Sequence, residues 1–179
     1  MNRHLLLVLI ALALGTAPSL AQSQQPYAGL EARSIKALSE QQIADLRAGR
    51  GMGLALAAEL NGYPGPMHVL EMADALDLSS QQRAKMQELF AAMKAEALPL
   101  GERLIAQEAE LDKAFANKTI TAATLADSTE AIGATHSALR QTHLKYHLST
   151  VEVLTPAQIQ RYTELRGYKG GVQHPHSQH

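Results

Sequence analysis

The sequence predicts an all-α protein: a long antiparallel helical hairpin with short flanking helices. Composition is the first reason, because the chain has no tryptophan and only two phenylalanines, while alanine, leucine, glutamine and glutamate are frequent. Periodicity is the second, since two long segments repeat their apolar residues at helical intervals. The third is a motif that starts a helix and occurs at three places.

The first 21 residues are predicted to be a secretory signal peptide. Arg3 precedes an apolar run from Leu5 to Leu14, and small residues lead to a cleavage position near Ala21. The run is about half the roughly 20 residues of a membrane span, so it would anchor the chain only if cleavage failed. After it we expect a flexible segment over residues 22–37, a helical domain over 38–168 and a flexible tail over 169–179.

Composition also limits the function. The formal net charge of −1 without a basic block argues against nucleic acid as a partner. The absence of cysteine excludes disulfides and thiolate metal sites in an exported chain. Neither a glycine-rich phosphate loop nor a nucleophile elbow is present, so we expect a protein that is not an enzyme.

The recurring motif reads "LSEQQI" from Leu38, "LSSQQR" from Leu78 and "LTPAQI" from Leu154. Ser or Thr at the N-cap with Gln three positions later is a capping box, in which each side chain binds the backbone N–H of the other residue. Each motif therefore predicts a helix start. The predicted pairs are Ser39 with Gln42, Ser79 with Gln82, and Thr155 with Gln158.

The first long helix is predicted over residues 80–116, where apolar residues recur in steps of three, four or seven. Pro99 lies inside it, but the apolar stripe keeps its phase, so we expect a kink, with a genuine break as the alternative. The stretch "NKTIT" then provides a turn, with Thr121 as the next N-cap.

The second long helix is predicted over residues 122–153, with apolar residues seven positions apart. The other seam position is polar and includes His136 and His143, which we expect to face the first helix. The short turn makes the two helices a hairpin, and its remaining apolar surface requires flanking helices or a second copy, so we expect a homodimer. Short elements are predicted over residues 66–77 and 156–166, and residues 39–60 are predicted to be a helix weakened by three glycines.

Candidate metal ligands occur as two pairs with helical spacing. His143 and His147 lie one turn apart, so both rings can reach one ion, although such pairs also occur as hydrogen-bonded or solvent-facing imidazoles. His68 and Met72 repeat the spacing after the "GYPGP" turn, with Glu71 nearby as an oxygen donor. Together they form a three-histidine, one-methionine set suited to copper, nickel, cobalt or zinc.

Other candidate donors receive a structural interpretation. Met67, Met86 and Met93 lie on apolar faces and are expected in the core. The tail histidines would bind metal only loosely, because a flexible segment has no fixed geometry.

Taken together, these motifs, the hairpin and the leader resemble the exported Spy/CpxP family, whose hallmark is a Leu-Thr-x-x-Gln motif occurring twice. Leu154 to Gln158 matches the motif, Leu78 to Gln82 has Ser for Thr, and the likeness covers about residues 66–168. The resemblance implies a hooked four-helix periplasmic protein that usually dimerises. The family includes heavy-metal sensor or resistance proteins, ATP-independent chaperones and an inhibitor of an envelope-stress sensor kinase.

In the metal-sensing branch, ligands come from a histidine-rich segment before the first long helix and from a His-x-x-x-Met pair late in the second. Here His68 and Met72 occupy the first place and His143 and His147 the second, so the ligand types match but are redistributed. The resemblance thus implies a periplasmic heavy-metal sensor or resistance factor, which as a sensor needs a membrane-bound signalling partner. The alternative is a chaperone or envelope-stress regulator that binds unfolded envelope proteins.

Overall fold

The computed structural model describes residues 27–168, and all regular elements in this range are helical. The predicted signal peptide and tail lie outside the described residues. A 3-10 turn at Leu30–Ala32 precedes six α-helices: α1 (Glu40–Arg47), α2 (Leu56–Glu59), α3 (Pro66–Glu71), α4 (Ser80–Ala116), α5 (Ala122–Val153) and α6 (Pro156–Leu165). None of the helices within these residues is long and apolar enough to cross a membrane.

Helices α4 and α5 form the predicted antiparallel hairpin. Gln82 near the start of α4 donates to the carbonyl of Val153 at the end of α5, 3.0 Å away, and midway the Tyr146 hydroxyl donates to Glu96 at 2.8 Å. Helix α4 continues through Pro99, so the alternative of a broken helix is wrong.

All three predicted capping boxes are present, and Thr121 caps α5 as expected. Two of the glutamines also join their helices to each other. Gln82 and Gln158 exchange amide hydrogen bonds of 2.8 and 3.1 Å, and the Gln158 amide also donates to the Leu76 carbonyl. The second and third motifs therefore close the open end of the hairpin in addition to starting their helices.

The apolar core consists of two clusters along the hairpin. The first packs α1 against α4 and α5 around Leu46, Ala97 and Leu139, and the second packs α3 and α6 around Val69 and Tyr162. The predicted helix over residues 39–60 is interrupted between α1 and α2, where positive φ angles at Gly49 and Gly53 end the helical path.

The seam histidines behave differently. His143 is buried, whereas His136 faces α4 as expected but stays exposed, because it lines an open groove with Glu108 and Leu111. The flanking helices cover the open end of the hairpin, whereas Phe115 and Leu125 near its tip stay exposed. The seam is therefore closed only where a third helix covers it.

Candidate metal site

A pocket of ≈ 340 Å³ lies beside the hairpin, between the stretches of α4 and α5 that form the two core clusters. Its wall includes the loop between α1 and α2, the first turn of α3, one face each of α4 and α5, and residues after α6. The lining side chains that can bind a metal ion or exchange a proton are those of Glu59, Met67, His68, Met93, His143 and His147.

His143 is the most deeply buried of these imidazoles, with 3% of its surface exposed. Its Nε2 is buried and has no hydrogen-bond partner among residues 27–168. Burial, and secondarily the nearby His147, lowers the pKa of His143, so its ring is held in the neutral form that has a lone pair. Gly51 closes over the same ring, since an added Cβ would lie 3.3 Å from Nδ1.

His147 is oriented by the backbone. Its Nδ1 lies 2.6 Å from the Tyr63 carbonyl oxygen, which can only accept, so Nδ1 carries the proton and Nε2 the lone pair. Gly65 packs closely against this ring, because a Cβ there would lie 2.9 Å from Nε2 and from Cε1. A carbonyl that holds one ring nitrogen and frees the other is the usual support of a metal-binding histidine.

Glu59 is the functional residue that no sequence pattern indicates. Its buried carboxylate accepts from the Tyr162 hydroxyl, from the Tyr168 hydroxyl at 2.8 Å and from the Gly65 N–H at 3.3 Å. Arg166 lies 3.6 Å away and balances its charge. Burial, followed by the hydrogen bond to Glu59, raises the pKa of Tyr162. Glu59 therefore joins α2 and α6 to the wall that holds His147.

His68 and Met72 separate in the structure. His68 lines the pocket wall with its Nδ1 3.0 Å from a Glu71 oxygen, so the predicted oxygen donor is engaged with His68 itself. Helix α3 ends at Glu71, and Met72 packs against the second core cluster and does not line the pocket. The pocket thus collects His68, His143 and His147 and leaves Met72 outside.

The donor chemistry fits a transition metal in part. Two imidazoles one helical turn apart, one with an orphaned buried nitrogen, are suitable ligands. Within residues 27–168, however, no three histidine, aspartate or glutamate side chains converge closely enough to hold an ion. A third donor must therefore move into place, or must be a residue of another type.

Comparison with known proteins agrees with this interpretation at the level of the family. The family model described as heavy-metal resistance matches residues 48–161, a span that contains both long helices and all three pocket histidines. No curated protein and no solved structure matches the chain. Since the match covers more than half of its length, the chain belongs to the heavy-metal resistance family.

Proposed function

We propose that this protein is a non-enzymatic, exported metal-binding protein that acts in the periplasm as a heavy-metal sensor or resistance factor related to the Spy/CpxP proteins. His143 and His147 are its principal ligands, and His68 is the nearest third imidazole. The observation that carries the proposal is the buried Nε2 of His143, which has no partner and lies one turn from a second oriented imidazole.

A buried polar nitrogen without a hydrogen bond costs about 1–3 kcal/mol, and a ligand that pairs with it offsets this cost. A bound ion does so by accepting the lone pair. His147 adds a second lone pair that its carbonyl partner already directs. The 3.0 Å contact of its Nδ1 with Glu71 leaves the Nε2 of His68 free to bind, and the movement that brings His68 to the ion is the local change that a sensor can transmit.

The test is a calorimetric titration with copper, nickel, cobalt and zinc. The purified protein carries serine at His174, His176 and His179, so that tail histidines do not contribute. We expect dissociation constants below about 10 μM for at least one metal, and a loss of at least about tenfold in affinity after His143→Ala with His147→Ala.

His136→Ala is the matched control, because His136 is on the same helix but exposed and outside the pocket. Binding weaker than about 10 μM for every metal tested contradicts the proposal. So does an equal loss of affinity in the control and in the pocket variant.

A second candidate function is that of an ATP-independent chaperone or envelope-stress regulator. It is favoured by apolar side chains that are more than 40% exposed around α2: Met52, Leu56, Leu60 and Tyr63. Such a patch can hold unfolded envelope proteins or a membrane-bound signalling partner. Suppression of the aggregation of an unrelated unfolded protein without metal supports this function, and no suppression at several-fold molar excess opposes it.

The proposed homodimer remains compatible with both functions. Phe115 and Leu125 are exposed at the hairpin tip, where a second copy can cover them. Sedimentation of the wild type and of a Phe115→Ser, Leu125→Ser variant tests it. We expect a dimer for the first and a monomer for the second.

A further inference from the structure

We propose that the pocket prefers soft monovalent ions, Ag(I) and Cu(I), because the thioethers of Met67 and Met93 line it beside the two buried imidazoles. This inference rests on the proposed metal-binding function and names the class of ion that the site takes. Met67 and Met93, which were expected in the core, are then ligands.

The two methionines reach the pocket from different elements. Met67 lies in the first turn of α3 and is half-buried, while Met93 is on α4 and 7% exposed. Both line the pocket, and neither belongs to the two core clusters that pack the hairpin. Met93 is buried, as expected, but it lies in the wall of the pocket and not in a core cluster.

The types of donor select the ion. Thioethers are soft, neutral and polarisable ligands that favour Cu(I) and other soft ions over zinc, nickel or cobalt. Imidazole binds both classes. Two thioethers with His143 and His147 place four donors that bind as neutral groups in the lining of one pocket.

The charges of the wall favour a low ionic charge. Glu59 is the one carboxylate among the described lining residues, and its oxygens are engaged by two tyrosines, the Gly65 N–H and Arg166. Lys94 and Arg50 add positive charge to the wall, although Arg50 pairs with Asp45 at 2.6 Å. Because the cost of desolvating an ion rises with the square of its charge, neutral donors and basic neighbours oppose a divalent ion more strongly than a monovalent one.

A borderline divalent ion has a harder route to the same pocket. A third imidazole requires His68 to move, since no three histidine, aspartate or glutamate side chains among residues 27–168 converge on one point, and a carboxylate ligand requires Glu59 to lose hydrogen bonds from Tyr162 and Tyr168. Each change rearranges the folded pocket. Soft monovalent ions avoid both changes.

The direct test is carbon-13 NMR of methyl-labelled methionine during titration with silver nitrate in chloride-free buffer. The protein again carries serine at the three tail histidines. We expect the methyl signals of Met67 and Met93 to shift on binding, with or without that of Met52 on the exposed rim of the pocket, while those of Met72 and Met86, which pack in the second cluster, stay in place. Shifts confined to Met72 or Met86, or absent from all four, overturn the inference.

Affinities separate this inference from the proposed function. Ag(I) should bind at least about tenfold more tightly than Zn(II). Met67→Leu with Met93→Leu should remove at least about tenfold of the Ag(I) affinity and leave Zn(II) affinity unchanged, and Met72→Leu is the matched control. Met67→Leu alone provides the same comparison if the double variant does not fold, because Met67 is half-buried.

Two further outcomes are decisive. If Zn(II) binds at His143 and His147 but Ag(I) binds no more tightly, the preference for soft ions is wrong and the metal-binding function stands. If neither ion distinguishes the wild type from the His143→Ala, His147→Ala variant, the proposed function fails together with this inference.

Discussion

Gly101 on α4 provides a sharp test of how α1 is held against the hairpin. A Cβ added there would lie 2.5 Å from the Leu46 carbonyl oxygen and 3.0 Å from its carbon, well inside the ordinary contact distance of 3.4–4 Å. The obstacle is backbone, so no rotamer change relieves it and α1 must move. Ile43 and Leu46 of α1 are 6% and 2% exposed, so displacement also uncovers core side chains.

The magnitude follows from opposing contributions. Replacing glycine by alanine inside a helix gains up to about 1 kcal/mol. Overpacking costs about 1–3 kcal/mol, and full exposure of either apolar side chain would cost about 1.5–3 kcal/mol more. With partial displacement of α1, we expect Gly101→Ala to lower the free energy of unfolding by about 1–3 kcal/mol.

Gly133 on α5 is the matched control, because an added Cβ there meets nothing within 4 Å. Gly133→Ala should therefore raise the free energy of unfolding by up to about 1 kcal/mol. Urea unfolding followed by circular dichroism measures the free energy for both variants. In a separate thermal melt, each kcal/mol should move the melting temperature by about 2–4 °C. Equal stabilisation by the two substitutions would refute the close contact between α1 and α4.

Three further predictions concern the site and its supports. Gly65→Ala should weaken Zn(II) binding at least about tenfold in calorimetry, because the new methyl group displaces the His147 ring; unchanged affinity contradicts this. Gln158→Glu keeps the capping acceptor but loses the amide donor that joins two helix starts. Urea unfolding should therefore show a free energy of unfolding lower by about 1–3 kcal/mol. The loss should be smaller for the control Gln42→Glu, whose side chain only caps its own helix. The free energy of unfolding should fall as the pH rises above the ordinary tyrosine pKa of 10.0, since the folded-state pKa of Tyr162 is raised and the unfolded chain releases that proton first. Tyr162→Phe should flatten the slope of the unfolding free energy against pH. An unchanged slope would exclude Tyr162 as its source.

The long helices could be predicted because their signals are local. Capping boxes mark the starts at Ser79 and Thr155, and one apolar stripe runs through Pro99 without losing its phase. The spacing of His143 and His147 is also local, since one helical turn brings both rings to the same side. Hence the hairpin and the histidine pair were accessible from the sequence.

The remainder depends on contacts between distant parts of the chain. The seven-residue repeat does not show which seam positions other elements cover, and His143 is buried whereas His136 lines an open groove with residues of α4. Glu59 becomes central only through hydrogen bonds to Tyr162 and Tyr168, which are 103 and 109 positions away. Met72 lies outside the pocket because it packs against the second core cluster, which also includes residues of α4 and α6. None of these contacts can be predicted from the periodicity of the sequence.

The most direct test of the central claim is nitrogen-15 NMR of the histidine side chains during Zn(II) titration, with a parallel Ag(I) titration. Serine again replaces the three tail histidines, which leaves the pocket histidines and the exposed control. If the pocket pair holds the ion, the Nε2 resonances of His143 and His147 shift on binding, while those of His136 do not. Shifts confined to His136, or no shift at the pocket pair when metal binds, would contradict this claim.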